Sequence, residues 1–138
     1  MKNIILAVDG SEYSNRALQF AKTLAERFEA TLWLVHIFPH TSDLLGYEDY
    51  EKFYSKRKAG GQVLLDDARQ QLGITGLNLR EELQEGPEAE SILNIAKNCQ
   101  TDLIVMGTRG HGTLKGLLVG SVSRKVIHHS SCPVMVVH

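Results

Sequence analysis

Cysteine is scarce in this chain: Cys99 and Cys132 stand apart, in no C-x-x-C pair and with no histidine at zinc-site spacing. That excludes a disulfide-stapled scaffold and a cysteine-built zinc site, and it reads both residues as small buried apolar side chains. Long hydrophobic runs are missing as well. The opening MKNIILAVDG holds one lysine and an apolar run too short for a signal peptide, and no stretch approaches membrane-spanning length. The expected setting is cytoplasmic, with no membrane partner. Charge of either sign is not in excess, since 15 Lys and Arg against 16 Asp and Glu leave a formal net charge of −1. A chain so balanced has no global attraction to nucleic acid, so any anion site must be local. There is no G-x4-G-K-[ST] Walker loop, no Ser/His/Asp or Cys/His set at linear spacing, and no repeat or low-complexity segment.

What is present is a regular alternation of apolar runs and amphipathic stretches within 138 residues, a length that suits one domain spanning 1–138. Asn3–Val8 and Thr31–Ile37 read as buried strands, and Leu103–Met106 is a third such run, apolar without polar alternation. Between the first two, Ala17, Leu18, Ala21, Leu24, Ala25 and Phe28 recur at helical spacing behind a cap at Ser11 or Ser14. Thr41 to Tyr54 mixes acids with aromatics and is expected to be a mobile, partly helical cover. A helix follows over about Lys56 to Leu72, its first turns weakened by Gly60 and Gly61 at roughly 1 kcal/mol each. Leu77, Leu79 and Leu83 alternate with polar residues as in an edge strand. Gly86-Pro87-Glu88 opens a third helix with inner stripe Ala89, Ile92, Leu93 and Ala96, its acidic first turn suited to the helix dipole. Leu118–His129 reads as a fourth helix and Pro133–Val137 as a closing strand. Successive βαβ units make a parallel sheet with helices on both faces, so the fold class is α/β, doubly wound and Rossmann-like. In such sheets ligands bind beyond the carboxyl ends of the strands. Asp9, Ile37 and Gly107 all lie at such ends.

The stretch after the third apolar run carries the chemistry. Gly107, Gly110, Gly112, Gly116 and Gly120 open a loop between a strand and a helix, and Ser121 follows at once. Backbone N–H groups and a hydroxyl therefore arrive together at a helix start, where the dipole also favours an anion. Arg109, Lys115, Arg124 and Lys125 add positive charge. His111 sits in this loop and reads as exposed. His36 alternates with Val35 in its strand and reads as a core or interface histidine, and His128 and His129 as complements to a helix C-terminus.

The pattern Gly107-x2-Gly110-x9-Gly120-Ser121 resembles the complete nucleotide-binding motif of the universal stress protein family. The opening IILAVDGSEYS, the strand LVHIF, the turn at Gly86–Ile92, the segment DLIVMGTRG and the closing CPVMVV extend that resemblance over essentially the whole chain. The resemblance implies a five-stranded sheet of order 3-2-1-4-5, ATP as ligand, and a homodimer. Carried over residue by residue, it places Ala7, Val8 and Asp9 beside the nucleotide, Ile37 against adenine, and Met106 and Gly107 at the base of the site. Arg109 and Gly110 would face ribose and phosphates, and Gly120, Ser121, Val122 and Ser123 would hold the phosphates. Asp9 either helps hold Mg²⁺ on those phosphates or serves as a turn and cap residue.

The resulting expectation is a stress-response binding module, regulated by nucleotide, with at most slow hydrolysis and a protein partner that the sequence does not name. The competing expectation is an enzyme on the same fold, an ATPase or an adenylyl- or phosphoryl-transfer catalyst, which would need a base that the sequence does not reveal. A flavodoxin-like flavin protein fits worse, because its phosphate loop follows the first strand. The last strand has no Lys, Arg, Asp or Glu between Pro133 and His138. Placed at a sheet edge by the resemblance, it is expected to pair across a two-fold axis through Pro133–Val137.

Overall fold

The computed structural model describes residues 1–40, 46–73, 75–108 and 119–138. The elements run β1 (Asn3–Ala7), α1 (Glu12–Phe28), β2 (Thr31–Phe38), α2 (Tyr47–Leu72), β3 (Leu79–Glu85), α3 (Glu88–Asn98), β4 (Leu103–Gly107), α4 (Ser121–His129) and β5 (Val134–Val137). They build a five-stranded sheet of order β3-β2-β1-β4-β5 in which every pairing is parallel. The expected class and strand order are those observed.

β1 is central and is buried on both faces, which is why its sequence is an unbroken apolar run. Ile4 and Leu6 join Leu32, Leu34, Leu103 and Val105 in a core covered by α1 and α2. Ile5 joins Val35, Ile37, Ile104 and Met106 in a second core covered by α3 and α4. Alternate residues of one strand thus feed two cores, as the period of a strand requires. The starts of β1 and β4 are tied by Asp102, whose Oδ2 accepts the N–H groups of Lys2 at 2.6 Å and Asn3 at 2.9 Å.

α1 begins where expected: Ser11 is the N-cap, its hydroxyl accepting from the Ser14 N–H at 3.1 Å. It buries Ala17, Ala21 and Ala25, whose small side chains let the helix lie close to the sheet. Phe28, expected on that inner stripe, is 51% exposed, because it lies in the last turn, where the chain turns back to β2 through left-handed Glu29.

α2 departs most from expectation. It starts at Tyr47 and runs unbroken through Gly60 and Gly61, so the described part of the expected cover, from Tyr47 to Tyr54, is helix. Tertiary contacts outweigh local propensity here. Tyr54 packs edge-on against Phe38 and is stacked with Tyr50, whose hydroxyl donates to Glu85 at the end of β3 at 3.0 Å. Residues 41–45 of that cover lie outside the described residues. Gly61 is buried because a Cβ there would stand 2.7 Å from Leu83 Cδ1 and 2.8 Å from His36 Cδ2. The second glycine is therefore a packing requirement, whereas Gly60 faces open space.

β3 is the edge strand anticipated from its alternation, with Leu79 and Leu83 turned to α2 beside Glu81, which pairs with Arg69 at 2.8 Å. Gly86, at φ +150, turns the chain into α3, and Ser91 Oγ lies 2.8 Å from where its Cβ would be. α4 begins at Ser121, not Leu118: Gly120 is its N-cap, and Leu118 is outside the described residues. Cys99 and Cys132 are free and partly buried. Among the described residues no helix is long and apolar enough to cross a membrane.

Candidate functional site

The carboxyl ends of β1, β2 and β4 bring Ala7, Val8, Asp9, Ile37, Met106 and Gly107 to one end of the sheet. On the α3 and α4 side, Ala7, Ile37, Met106 and Val122 belong to one apolar cluster with Ala89 and Ile92. Ile37 and Met106 are buried, while Ala7 and Val122 are partly exposed at the margin of the cluster. Four residues from four elements thus pack into one apolar cluster at the strand ends. Val8 reaches the same end, but its side chain enters the core on the opposite face. Its backbone is engaged, the N–H donating to Val35 O at 2.7 Å and the carbonyl accepting from His36 Nδ1 at 2.5 Å. His36, expected as a core or interface histidine, is partly buried and satisfied by this bond, in which Nδ1 donates to the carbonyl.

Asp9 sits in the turn from β1 to α1. Its Oδ1 accepts the Ser11 N–H at 2.8 Å, and its own N–H donates to Ser14 Oγ at 3.2 Å. The turn role is thus present in full. Oδ2 has no hydrogen-bond partner among the described residues, so one oxygen of the carboxylate is left for a ligand or ion. Among the described residues no group of three or more His, Cys, Asp or Glu is placed to hold a metal ion. Magnesium sites built on nucleotide phosphates need one or two carboxylates, and Asp9 meets that lesser demand.

Gly107 closes β4 against the start of α1. A Cβ there would lie 2.7 Å from Tyr13 Cβ, 2.8 Å from the Tyr13 carbonyl carbon and 2.9 Å from the Ser14 nitrogen. Beyond it, the two ends of the glycine-rich loop are pinned together, with the Gly120 N–H donating to Thr108 O at 2.6 Å. Ser123 is buried in the first turn of α4 and its hydroxyl donates to Gly107 O at 2.9 Å, with Thr108 O at 3.2 Å. Its proton therefore secures the neck of the loop. Thr108 is 1% exposed, and its Oγ1 has no hydrogen-bond partner among the described residues. Gly120 supplies no capping side chain to α4, so the N–H groups at this helix start are not occupied by a cap as those of α1 are. Ser121 is exposed beside them and Val122 half-buried. Arg109, Gly110 and His111 lie outside the described residues.

Glu88, anticipated as a dipole complement, is the first residue of α3 and is exposed, while the next residue, Ala89, packs in the cluster of Ile37 and Met106. Desolvation of its carboxyl, then the charge of Asp9, push it above the usual range, and His36 acts in the opposite sense.

A model of the universal stress protein family matches residues 1–138. The chain belongs to the universal stress protein family. It is 37% identical over 137 residues to a universal stress protein of Thermus aquaticus, a match covering 99% of this chain and 98% of that protein. Among solved structures it resembles the universal stress protein UspA from Lactobacillus plantarum, with a TM-score of 0.88 and 25% identity over 99% of this chain and 97% of the other. It also resembles a universal stress protein solved in complex with cAMP, with a TM-score of 0.76 and 26% identity over 99% and 97% of the two chains. Membership of the universal stress protein family accords with the glycine motif and with the strand order found here.

Proposed function

We propose that this universal stress protein is a binding module for adenine nucleotides, ATP with Mg²⁺ foremost, acting in the cytoplasm as a single domain and passing its bound state to a protein partner. The observation that carries the reading is the junction of β4 and α4. There, the N–H groups of Ser121 to Ser123, at a helix start whose N-cap Gly120 has no capping side chain, adjoin the apolar cluster of Ala7, Ile37, Met106 and Val122. A helix start of this kind favours phosphate, and an apolar cluster favours a flat base. The structural neighbour with bound cAMP supports the same ligand class. In this reading Asp9 would help hold a magnesium ion brought in with the phosphates, and the ion would offset their negative charge. Arg109 and Gly110 complete the phosphate side, as the motif implies.

The same reading includes a two-fold homodimer through β5. The two sheet edges differ in charge: β3 carries Arg80, Glu81, Glu82 and Glu85, whereas β5 (Val134–Val137) carries none. Charge protects an edge from pairing, so β5 is the edge left to pair. Denaturing freshly purified protein and identifying any released nucleotide tests the ligand, followed by titration with ATP, ADP and AMP. Copurified adenine nucleotide, or binding that Gly120→Val abolishes in a folded protein, supports the proposal. Recovered flavin, or no adenine-nucleotide binding, overturns it.

A further inference from the structure

We propose that the hydroxyl of Thr108 is a phosphate ligand: together with the start of α4 it holds one phosphate of the bound nucleotide. This inference rests on the nucleotide reading above and adds to it a residue that the glycine motif leaves unspecified. Thr108 directly follows β4, and its backbone is committed on two sides. Its N–H donates to Val137 O at 2.9 Å, and its carbonyl accepts the Gly120 N–H at 2.6 Å, with the Ser123 hydroxyl 3.2 Å from the same oxygen. Those contacts seat Thr108 against the first turn of α4. The pleat gives its side chain a direction. Met106 packs in the cluster under α3 and α4, whereas a Cβ on Gly107 would meet Tyr13 of α1, so the next alternation returns Thr108 to the α4 side.

Two unmet demands adjoin there. Thr108 is 1% exposed and its Oγ1 has no hydrogen-bond partner among the described residues, although burying a hydroxyl unpaired is unfavourable. The helix beside it has no cap, since Gly120 brings no side chain to the N–H groups of Ser121 to Ser123. At the start of α1 the same demand is met within the protein, where the Ser11 hydroxyl accepts the Ser14 N–H at 3.1 Å. The Thr108 hydroxyl could accept from an N–H of α4 in the same way, and it does not. Both groups are therefore left for a third. A tetrahedral anion carries several acceptor oxygens, enough to take the helix N–H groups and the hydroxyl proton at once, and the helix dipole favours its charge. Burial strengthens the contact, because a hydroxyl donating to a charged oxygen away from water makes one of the stronger hydrogen bonds.

The test measures dissociation constants for ATP with magnesium and for adenosine by isothermal titration calorimetry, on wild type, Thr108→Val and Thr108→Ser, with thermal melts of each protein free of ligand. Valine keeps the shape of threonine and deletes the hydroxyl. The ATP dissociation constant of Thr108→Val should rise about tenfold, the scale of one hydrogen bond to a charged group, while adenosine, which brings no phosphate, binds as it does to wild type. Thr108→Ser restores a hydroxyl and should hold ATP within about twofold of wild type. Free of ligand, Thr108→Val should melt no lower than wild type, because no hydrogen bond is lost with the hydroxyl. ATP affinity unchanged in folded Thr108→Val, ATP and adenosine weakened equally, or a Tm lowered by more than about 2 °C, overturns the inference and leaves the nucleotide reading intact. A wild type that binds neither ATP nor adenosine overturns the nucleotide reading and this inference with it.

Discussion

Replacing Gly107 by alanine should destabilise the protein before any ligand is considered. The added methyl would stand 2.7 Å from Tyr13 Cβ, 2.8 Å from the Tyr13 carbonyl carbon and 2.9 Å from the Ser14 nitrogen, where ordinary contacts lie at 3.4–4 Å. Two of these three atoms are backbone, so no rotamer change relieves the clash. Relief requires the first turn of α1 to withdraw by more than half an ångström (~0.7 Å), on the scale of an ordinary carbon contact. That turn is held to β1 by the Asp9 N–H on Ser14 Oγ and by the Ser11 cap. Overpacking of a filled site costs about 1–3 kcal/mol, and with backbone on the far side the upper value, about 3 kcal/mol, is expected. For a chain of 138 residues this corresponds to a fall in Tm of about 10 °C. Differential scanning calorimetry of the purified variant reads it directly. A Tm within about 2 °C of wild type would refute the reasoning, since it would mean that α1 moves freely away from β4. The result also governs how binding data are interpreted. Lost nucleotide binding in a Gly107 variant reports a displaced α1, whereas Gly120, at φ −73 and ψ 170, has a backbone that any residue adopts and is the cleaner probe.

The neighbouring glycines of α2 should respond with opposite signs. Gly60→Ala, with open space around its Cβ, should stabilise by about 0.5–1 kcal/mol in chemical denaturation. Gly61→Ala gains the same propensity but meets Leu83 and His36, and should be destabilising by about 1 kcal/mol. Backbone N–H groups of Asn3 and Lys2, in that order of effect, hold the Asp102 carboxyl below its usual range. The stability it contributes is therefore present above the unfolded-state value and is lost as pH falls through the folded-state value. Asp102→Ala should lower Tm at neutral pH, and the difference should close in strong acid. Val136→Lys should shift the protein towards monomer in sedimentation velocity, with thermal melts showing that the variant is folded, since Val136 also packs against the core under α3 and α4. A monomeric wild type at micromolar concentration would refute that assignment.

The parts of the fold that the sequence made legible are those where one physical demand dominates. β1 and β4 are covered on both faces, so Ile4 to Leu6 and Leu103 to Met106 must be apolar without interruption. α1 was legible because Ser11 caps it and its alanines repeat on one face. The first turns of α2 were not, because their contacts are aromatic rings with polar tips: Tyr50 and Tyr54 reach Phe38 and Glu85 in ways no period announces. Gly61 was misleading for the same reason. Propensity counts it as a weakness, whereas the space it leaves for His36 and Leu83 depends on three elements meeting. At the strand ends, Asp9, Ile37 and Gly107 followed from the alternation of elements, whereas Ala7 and Met106 came only with the family resemblance.

The motif residues first of all hold this end of the sheet together. Asp9 closes the β1 turn through Ser11, and Gly107 admits the start of α1. The hydroxyl of Ser123 binds the end of β4 to α4, and the Gly120 N–H on Thr108 O fixes the neck of the loop. These contacts run between protein groups alone, and they set the strand ends and the α4 helix start in register with each other. A ligand then does not have to supply the ordering of these elements, which is the condition for binding energy to appear as affinity. It follows that Gly107 has a structural cause independent of any ligand, and that the discriminating features lie beside it. Among the described residues those features are Thr108 Oγ1, which has no hydrogen-bond partner, the second oxygen of Asp9, and a start of α4 whose N-cap Gly120 has no side chain to cap it. In the proposed reading each is a group that a phosphate or its cation would engage.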